Sequence, residues 1–298
     1  MFDKTFAIIV TYNGELWIRN CLNSLISELS LNQIIIVDNC SSDQTCSIIE
    51  TEYATCSLLK QDKNLGFGLA NNLGIELAIS LGAEFFLLLN QDAWLEKHTL
   101  ANLQKTLSSE VELGLISPLH YNPSSETLDY LFSTYLDNKV ESRGALTLVP
   151  FVNAAIWLVP IATIKSIGGF DPIFPHYGED RDYVNRCLYH GMKIGVLCDQ
   201  KGYHDRDSEA LPSIRKRKYF EYINALVELK NINSDFLKSL ITNTYKIMRY
   251  TISSIIRANW SDANTDLINL TKIWSSIRKI RTHRSLSKAK GSVFLNLK

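Results

Sequence analysis

The chain has 298 residues, of which 46% are hydrophobic and 21% charged, with 31 basic and 31 acidic side chains. This composition is ordinary for a globular protein and excludes a disordered, collagen-like or low-complexity chain. The zero net charge hides an asymmetry, because residues 201–298 hold 19 Lys and Arg but only 8 Asp and Glu. The acidic first 200 residues argue against a nucleic-acid-binding face there, whereas the basic part suits anionic lipid, nucleic acid or a phosphate-bearing substrate.

Six cysteines are scattered along the chain, and none forms a Cys-x-x-Cys pair. They fit buried thiols in a reducing cytoplasm better than a zinc site or a disulfide framework. The N-terminal apolar run, Phe6 to Thr11, is too short for a secretory signal. No stretch reaches the roughly 18 apolar residues that span a bilayer. We therefore expect a cytoplasmic protein, either soluble or peripheral on the inner face of the cell membrane.

Strand-like and helix-like runs alternate through the first 120 residues. The predicted strands are 6–12, 33–38, 57–60, 85–89 and 113–117. Helical spacing is found in 18–29, after Ser42 and Asp43, and in 70–81. Because the strands are apolar without alternation and are separated by helices, we predict an α/β fold with a mostly parallel sheet covered on both faces.

The rest of the chain changes from this alternation to helices. The predicted elements are a loop with edge strands at 121–150, strands at 151–160 and 193–198, helices at 161–167 and around 183–188, and helices from 213 onward with breaks near 231–234 and 259–261. We therefore predict an α/β domain over 1–210 and a basic helical region over 211–298.

Polar residues collect where the predicted strands end. These are Thr11, Tyr12 and Asn13, then Asp38 and Asn39, then Asn64, then Asn90, Gln91 and Asp92. In a parallel sheet the carboxyl ends of the strands share one edge, where ligands bind. The sequence therefore predicts one binding cleft to which several strand ends contribute.

The chain resembles inverting glycosyltransferases of family 2, and is most similar to bacterial rhamnosyltransferases that build surface polysaccharides. The matching stretches, in order, are VTYNG (10–14), VDNCSSD (37–43), NLGFGLANNLGI (64–75), LLLNQDAW (87–94), FVNAAIWLVP (151–160) and GGFDPIFPHYGEDRDYVNRC (168–187). The resemblance implies a nucleotide-binding GT-A fold, transfer of a sugar from a nucleotide-sugar and inversion at the anomeric carbon.

Nucleotide-sugar binding is assigned to the first strand ends and the glycine-containing loop. Asp38 resembles the family's carboxylate that reads the pyrimidine N–H, and the less favoured alternative is that Asp38 and Asn39 begin an Asx turn. The loop lacks the GxGxxG spacing of a dinucleotide site. Gly66 and Gly68 would instead let a ligand approach the backbone, because glycine has no side chain. The predicted nucleotide-sugar-binding residues are Thr11, Tyr12, Asn13, Asp38, Asn64, Gly68, Asn71, Asn72 and Gln91.

A divalent cation, Mg²⁺ or Mn²⁺, is implied at Asn90-Gln91-Asp92, where the fold carries its Asp-x-Asp motif. Such carboxylates hold a cation that neutralises the diphosphate. Asn90 replaces the first Asp, so Asp92 is the remaining carboxylate. By its position in the resemblance, His204 would complete the metal site, although a lone His is more often a surface or core residue.

Asp180 matches the family's general base, which deprotonates the acceptor hydroxyl. It precedes Val184 by four and Cys187 by seven residues, so it shares their inward helix face. Glu179 is a candidate substrate contact or a simple response to the helix dipole. We expect Asp182 and Arg186 to form a surface ion pair.

Asn153 and Trp157 are four residues apart on one predicted strand, so they would share a face. They would contact the sugar or the acceptor, although a core role for Trp157 is equally plausible from the sequence.

The last third gathers basic residues beside aromatic ones. The clusters are Arg215 to Lys218 beside Tyr219, Phe220 and Tyr222, then Lys246, Arg249 and Arg257, then Arg278, Lys279, Arg281 and Arg284. Such a pattern suits peripheral contact with a membrane that holds a lipid-linked acceptor, or a solvated surface or dimer contact.

The sequence hypothesis is an inverting transferase that moves L-rhamnose from dTDP-L-rhamnose onto a growing cell-surface polysaccharide such as an O-antigen. A transferase for a UDP-hexose is the close alternative. A nucleotidyltransferase is disfavoured because the first strand lacks a basic, Gly-rich phosphate loop. A non-catalytic nucleotide- or glycan-binding module is disfavoured by the inward-facing Asp180.

Overall fold

A computed structural model of the chain describes residues 4–124, 127–205 and 214–297. The strands are β1 Thr5–Thr11, β2 Ile34–Asp38, β3 Ser57–Lys60, β4 Phe85–Asn90, β5 Ala93–Leu95, β6 Leu113–Tyr121, β7 Glu141–Arg143, β8 Leu146–Leu148, β9 Ile156–Pro160 and β10 Lys193–His204. The α-helices are α1 Ile18–Leu25, α2 Thr45–Glu52, α3 Phe67–Ser80, α4 Thr99–Ser109, α5 Tyr130–Asp137, α6 Ile161–Ile167, α7 Glu179–Tyr189, α8 Ile214–Lys230, α9 Phe236–Ile256, α10 Trp260–Ser275 and α11 Ile277–Lys288.

The strands form one mixed sheet in the order β3-β2-β1-β4-β9-β6-β10-β8-β7, with β5 paired to β10. Strands β1 to β4 pair in parallel, as do β6 and β10. Strand β9 lies between β4 and β6 and is antiparallel to both. The predicted α/β fold is confirmed, but the sheet is mixed and not mostly parallel. Strands β3, β2, β1 and β4 pair in parallel, whereas from β9 to β7 only β6 and β10 do.

Apolar side chains fill both faces of the central strands. Along β1, Ile9 belongs to one buried cluster and the adjacent Ile8 to another on the opposite face. Successive side chains of a strand point to opposite faces, so an unbroken apolar run such as the IIIV of β2 requires burial on both sides. This core holds the carboxyl ends of β1, β2 and β4 at a common edge.

Several boundaries differ from the sequence expectations. Strand β9 begins at Ile156, because residues 151–153 are irregular and residues 154–155 form a turn before the strand. Strand β10 extends to His204, past the predicted end at residue 198. The region expected to be loop and edge strands contains α5, where the Asp129 side chain accepts the Phe132 N–H at 2.8 Å and Phe132 is buried.

Helices α8 to α11 have a buried core of their own, which includes Ile223, Leu229, Ile273 and Ile280. The chain then returns to the α/β layers, where the Gly169 N–H donates to the Val293 carbonyl at 2.9 Å. The predicted domain boundary at residue 210 lies outside the described residues. Among the helices that the structure describes, none has the combination of length and apolar character that crossing a bilayer requires.

Candidate active site

A cleft opens at the carboxyl ends of β1 and β4. We call its larger part the large lobe, a space of about 870 Å³ whose lining includes Tyr12, Asn64 and Gln91. The adjoining small lobe is about 480 Å³, and its lining includes Glu179 and Asp180. Asn90 and Asp92 line both lobes, as do Phe67, His176 and Tyr177. The two lobes therefore meet at the end of β4.

Hydrogen bonds between loops fix the wall of the large lobe. The Tyr12 N–H donates to Gln91 Oε1 at 2.9 Å, and Gln91 Nε2 donates to the Tyr12 carbonyl at 3.2 Å. Asn13 has a positive φ of 49°, and its Oδ1 accepts the Ser42 N–H at 2.8 Å. Tyr12 and Gln91 line the lobe, whereas Asn13 joins the loops behind it.

Thr11 and Asp38 lie at the predicted strand ends but are buried, at 0% and 2% exposure. The Asp38 carboxylate accepts the amide and the hydroxyl of Ser41, which is an Asx-type turn. Tyr12 and Asn39 are the neighbours of these residues that line the large lobe. The structure thus has the turn geometry that the sequence left open, and a role of Asp38 in reading a base stays a prediction.

The glycine-containing loop is packed against protein groups. At Gly66, with φ of +82°, an added Cβ would lie 2.3 Å from the Pro175 carbonyl oxygen. At Gly68 an added Cβ would lie 3.0 Å from the Phe170 Cβ. The space beside these two glycines, where the sequence predicts a ligand, is thus filled by the segment that leads to α7. Asn64, whose Oδ1 accepts the Gly66 N–H at 2.8 Å, lines the large lobe.

Asn71 and Asn72 are buried on α3 and bond to the protein itself. Asn71 Nδ2 donates to the Phe67 carbonyl, and Asn72 Nδ2 donates to the carbonyls of Phe170 and Phe294. Asn72 Oδ1 also accepts the Phe170 N–H at 2.7 Å. Their placement supports a structural role, in which Asn72 joins α3 to the segment before α7 and to the C-terminal tail.

Asp92 and His204 come together as predicted. Asp92 Oδ1 lies 3.6 Å from His204 Nε2, and the Asp205 N–H donates to the Asp92 carbonyl at 2.8 Å. Antiparallel pairing of β5 with β10 places His204 opposite Ala93, next to Asp92. Both side chains line the small lobe.

This pair fits a divalent cation that is also held by ligand oxygens. Asn90 Oδ1 is a buried oxygen without a hydrogen-bond partner in the described part of the chain, and Asn90 lines the same space. No group of three His, Cys, Asp or Glu side chains that could hold a metal occurs among the described residues. A Mg²⁺-type cation commonly takes only one or two carboxylates and completes its shell with water and phosphate oxygens.

Glu179 and Asp180 begin α7 at the wall of the small lobe. Burial, and then the neighbouring Asp180, raises the pKa of Glu179 to about 7. Burial also raises the pKa of Asp180, although hydrogen bonds such as that from the Arg181 N–H oppose the shift. Both carboxyl groups are therefore more basic than usual beside a cavity, which is typical of groups that exchange protons.

Asn153 lines the small lobe, but it lies in the irregular segment before β9 and not on the strand. The expectation that it shares a strand face with Trp157 is therefore wrong. Trp157 is fully buried, with its ring centroid 5.8 Å from that of Tyr183 and 6.4 Å from that of Phe170. Its placement is that of a core residue.

Unpartnered polar atoms concentrate at the small lobe. Within the described residues, four buried lining atoms lack a hydrogen-bond partner, namely Asn90 Oδ1, Asn153 Oδ1, Glu179 Oε2 and His204 Nδ1. Buried polar atoms in folded proteins nearly always have partners. The concentration of exceptions around one cavity indicates a site that a polar ligand completes.

The ion pair of Asp182 and Arg186 is buried, so the expectation of a surface pair is wrong. Arg186 Nε lies 2.9 Å from Asp182 Oδ2, and Lys230 Nζ lies 3.2 Å from Asp182 Oδ1 and 2.8 Å from Asp171 Oδ2. His283 Nδ1 lies 2.6 Å from Asp171 Oδ1. We call Asp171, Asp182, Arg186, Lys230 and His283 the junction cluster, because it joins α7 to α8 and α11.

Tyr135, His176 and Tyr177 also line the small lobe, and the sequence analysis did not single them out. His176 and Tyr177 fall inside the stretch GGFDPIFPHYG, so proximity to Asp180 in the chain was an available signal. Tyr135 comes from α5, which the sequence pattern did not reveal.

Solved structures share this architecture at low sequence identity. S. aureus TarS 1–349 in complex with UDP-GlcNAc is 17% identical, with a TM-score of 0.58 over 96% of this chain and 89% of that one. A mannosyltransferase from Pyrobaculum calidifontis in complex with GDP-Man and Mn²⁺ is 15% identical, with a TM-score of 0.55 over 96% and 86%. GalNAc-T7 with UDP, GalNAc and Mn²⁺ is 13% identical, with a TM-score of 0.57 over 76% and 50%. The chain spans 41% of a longer S. aureus TarS chain.

A comparison with curated proteins finds no match. The family model described as glycosyl transferase family 2 matches residues 6–155, which is half of the chain and includes β1, β4 and the Asn90–Asp92 segment. The chain therefore belongs to glycosyl transferase family 2 and is a glycosyltransferase with a GT-A-like α/β fold.

Proposed function

We propose that this chain is an inverting glycosyltransferase, with a nucleotide-sugar in the large lobe and an acceptor hydroxyl in the small lobe. The observation that carries the proposal is the group of unpartnered polar atoms at Asn90, Asn153, Glu179 and His204, in the small lobe that Asp92 and Asp180 also line. The large lobe has the volume of a ligand pocket and hydrogen-bonding groups from Tyr12, Asn64 and Gln91. A non-catalytic binding module would not need a buried carboxyl group of raised pKa at the wall of a cavity.

Asp180 is the general base in this proposal. It takes the proton of the acceptor hydroxyl while the hydroxyl oxygen attacks the anomeric carbon of the donor. The bond from that carbon to the diphosphate oxygen breaks on the opposite side, so the configuration inverts. The products are a new glycosidic bond and a free nucleoside diphosphate.

Glu179 supports this step as a neutral acid. Its pKa of about 7 keeps much of it protonated near neutrality, because burial disfavours the charged form and the neighbouring Asp180 carboxylate adds repulsion. Protonated Glu179 would donate a hydrogen bond to a sugar oxygen and leave the negative charge on Asp180.

Asp92 and His204, with Asn90 beside them, would hold Mg²⁺ or Mn²⁺. A divalent cation at this place supplies charge that stabilises the departing diphosphate. The mannosyltransferase and the GalNAc-T7 structures contain Mn²⁺, which supports the proposal of the same class of cation here.

For the donor we propose dTDP-L-rhamnose, on the resemblance of the motifs to bacterial rhamnosyltransferases. A UDP-hexose is the second candidate, and the TarS complex with UDP-GlcNAc favours it as an alternative with the same mechanism. Tyr12 would contact the base from the wall of the large lobe, with Thr11, Asn13 and Asp38 supporting that wall, and such a site would accept uracil or thymine.

For the acceptor we propose a growing cell-surface polysaccharide, such as an O-antigen, carried on a lipid. The cysteines are all free, which suits a reducing cytoplasm. The enzyme would then work at the inner face of the cell membrane and touch it through its basic C-terminal helices. Lys218 and Arg284 are buried, so they are not part of such a contact.

The experiment that tests the proposal is donor turnover and thermal stabilisation with purified protein. The panel is dTDP-rhamnose, UDP-glucose, UDP-galactose, UDP-GlcNAc and GDP-mannose, each with Mn²⁺, Mg²⁺ or EDTA. A ligand that binds only the folded state must stabilise it. We expect dTDP-rhamnose to be hydrolysed slowly and to stabilise the protein, with less effect in EDTA. A response to a UDP-sugar instead would replace the donor, and silence across the panel and free nucleoside diphosphates would contradict catalysis.

A further inference from the structure

Helix α9 exposes a continuous apolar stripe. Its buried face carries Leu240, Asn243, Ile247 and Thr251. An adjoining, exposed face consists of large apolar side chains with exposures between 42% and 66%, at helical spacing, namely Leu237, Ile241, Tyr245, Met248, Ile252 and Ile255. Single exposed apolar residues are ordinary on a protein surface, but a stripe along a whole helix marks an interaction surface.

The neighbouring helix α10 adds exposed apolar residues of its own. Trp260, Leu267 and Trp274 are spaced by seven residues and are exposed by half or more. That spacing places them on one side of α10. Trp and Tyr side chains combine an apolar ring with a polar group, which suits the boundary between acyl chains and headgroups.

Basic residues run along one edge of the α9 stripe. Lys238, Lys246 and Arg249 each directly follow a residue of the stripe, so each lies about 100° further round the helix. All three side chains are exposed, and α9 contains no Asp or Glu. Over residues 236–288 the chain has ten Lys and Arg against two Asp and no Glu.

The two acidic residues of this span are directed at cations of α8. Asp266 lies 2.7 Å from Lys218 Nζ, and Asp262 lies 3.9 Å from Arg217. The charge available to a partner along α9 is therefore positive.

We propose that the exposed face of α9 lies on an anionic lipid bilayer. The apolar stripe would rest at the boundary of headgroups and acyl chains, and the basic edge would meet the anionic headgroups. This assigns the membrane contact of the proposed function to one helix face, and it can fail while the catalytic proposal stands, because α9 lines neither lobe.

The charge distribution disfavours an antiparallel pair of chains on this stripe. Two copies that packed antiparallel along this stripe would place both basic edges on the same side of the pair, where like charges repel. A bilayer with anionic headgroups instead offers opposite charge along the whole length of about 30 Å that a helix of 21 residues spans.

The test is co-flotation of the full-length protein with lipid vesicles. One set contains equimolar phosphatidylglycerol and phosphatidylcholine, and the other contains phosphatidylcholine alone. We expect the wild type to float with the anionic vesicles and to dissociate from them as salt screens the charges. The variant Ile241→Glu/Ile252→Glu should bind at least about tenfold more weakly, because two apolar anchors are lost. The variant Lys238→Gln/Lys246→Gln/Arg249→Gln should lose the preference for anionic lipid.

The matched control is Val111→Glu/Val140→Glu, which introduces the same charges at highly exposed apolar positions away from α9. It should float like the wild type, and all variants should keep the wild-type thermal stability and donor turnover. Equal flotation of wild type and Ile241→Glu/Ile252→Glu would overturn the proposal. The proposal would also be overturned if the wild type sediments as a dimer and does not float with the vesicles, while the Ile241→Glu/Ile252→Glu variant sediments as a monomer.

Discussion

Helix α7 carries acidic side chains into two regions, the small lobe and the junction cluster. In the small lobe, Glu179 Oε2 has no hydrogen-bond partner among the described residues, and the pKa of Glu179 rises to about 7. In the junction cluster, Asp182 lies between Arg186 and Lys230, with both cations within 3.2 Å. Buried acids on one helix thus occupy opposite environments, one without a cation and one enclosed by cations.

The environment of a buried acid therefore distinguishes a role in chemistry from a role in stabilising the fold. A buried carboxylate without a counter-charge costs stability and is retained where a ligand or a proton completes it. A buried carboxylate between cations fixes the arrangement of the elements that supply them. Burial opposes ionisation of Asp171, yet His283 and Lys230 hold its pKa below the usual range. The junction cluster therefore orients α7 and, through it, Asp180.

The largest stability effect is expected from Lys230→Met. Removal of the ammonium group leaves Asp171 and Asp182 buried with less positive charge, which should cost about 3–5 kcal/mol of unfolding free energy. Chemical denaturation measures it. The control is Lys60→Met, whose pair with Glu50 is half-exposed and screened by solvent, so that its loss should have little effect on stability. Equal losses in the two variants would contradict the distinction between the regions.

Glu179→Gln should change how stability depends on pH. The pKa of Glu179 is raised from 4.5 to about 7 in the folded state, so between these values the unfolded chain has lost a proton that the folded chain keeps. Wild-type stability should therefore fall relative to the Gln variant as pH rises through this window, by up to about 3 kcal/mol. Unfolding curves across the pH range measure the difference. Parallel curves for the two proteins would show that the pKa of Glu179 is not raised. The control is Glu141→Gln, which removes a carboxyl group from an exposed ion pair.

Asp92→Asn should weaken the donor complex in Mn²⁺ by about tenfold, or about 1.4 kcal/mol. The cation would lose its remaining carboxylate, while Asn90 and His204 stay in place. Donor-dependent thermal shifts measure this, and EDTA should bring the wild type to the level of the variant. The exposed substitution Asp199→Asn should leave the shift unchanged. A variant with full affinity that still responds to EDTA would move the cation away from Asp92.

The sequence was informative where a strand end fixed the position of a side chain. The strand-like runs at β1, β3 and β4 placed Tyr12, Asn64 and Asp92 at one edge, and the structure brings these three to the same lobe. Helical periodicity likewise placed Asp180 on the inward side of α7, where it lines the small lobe.

The sequence was less informative where contacts distant in the chain decide the role of a residue. Asp182 and Arg186 have the spacing of a surface pair, and their burial depends on Lys230, 48 residues after Asp182. Asn72 looked like a ligand donor, but its carbonyl partners are at Phe170 and Phe294. The α5 helix, which supplies Tyr135, has no strong periodic signal and depends on packing of Phe132 in the core.

The rate of glycosyl transfer by Asp180→Asn, compared with wild type and Asp199→Asn, tests whether Asp180 is the general base. The amide keeps the shape of the carboxyl group but cannot accept the acceptor proton, so transfer should fall by about 10²–10⁴-fold. Donor-induced thermal stabilisation should stay at the wild-type level, since the large lobe is unchanged. If the Asp180→Asn protein is folded, binds donor and transfers sugar at the wild-type rate, Asp180 is not the general base.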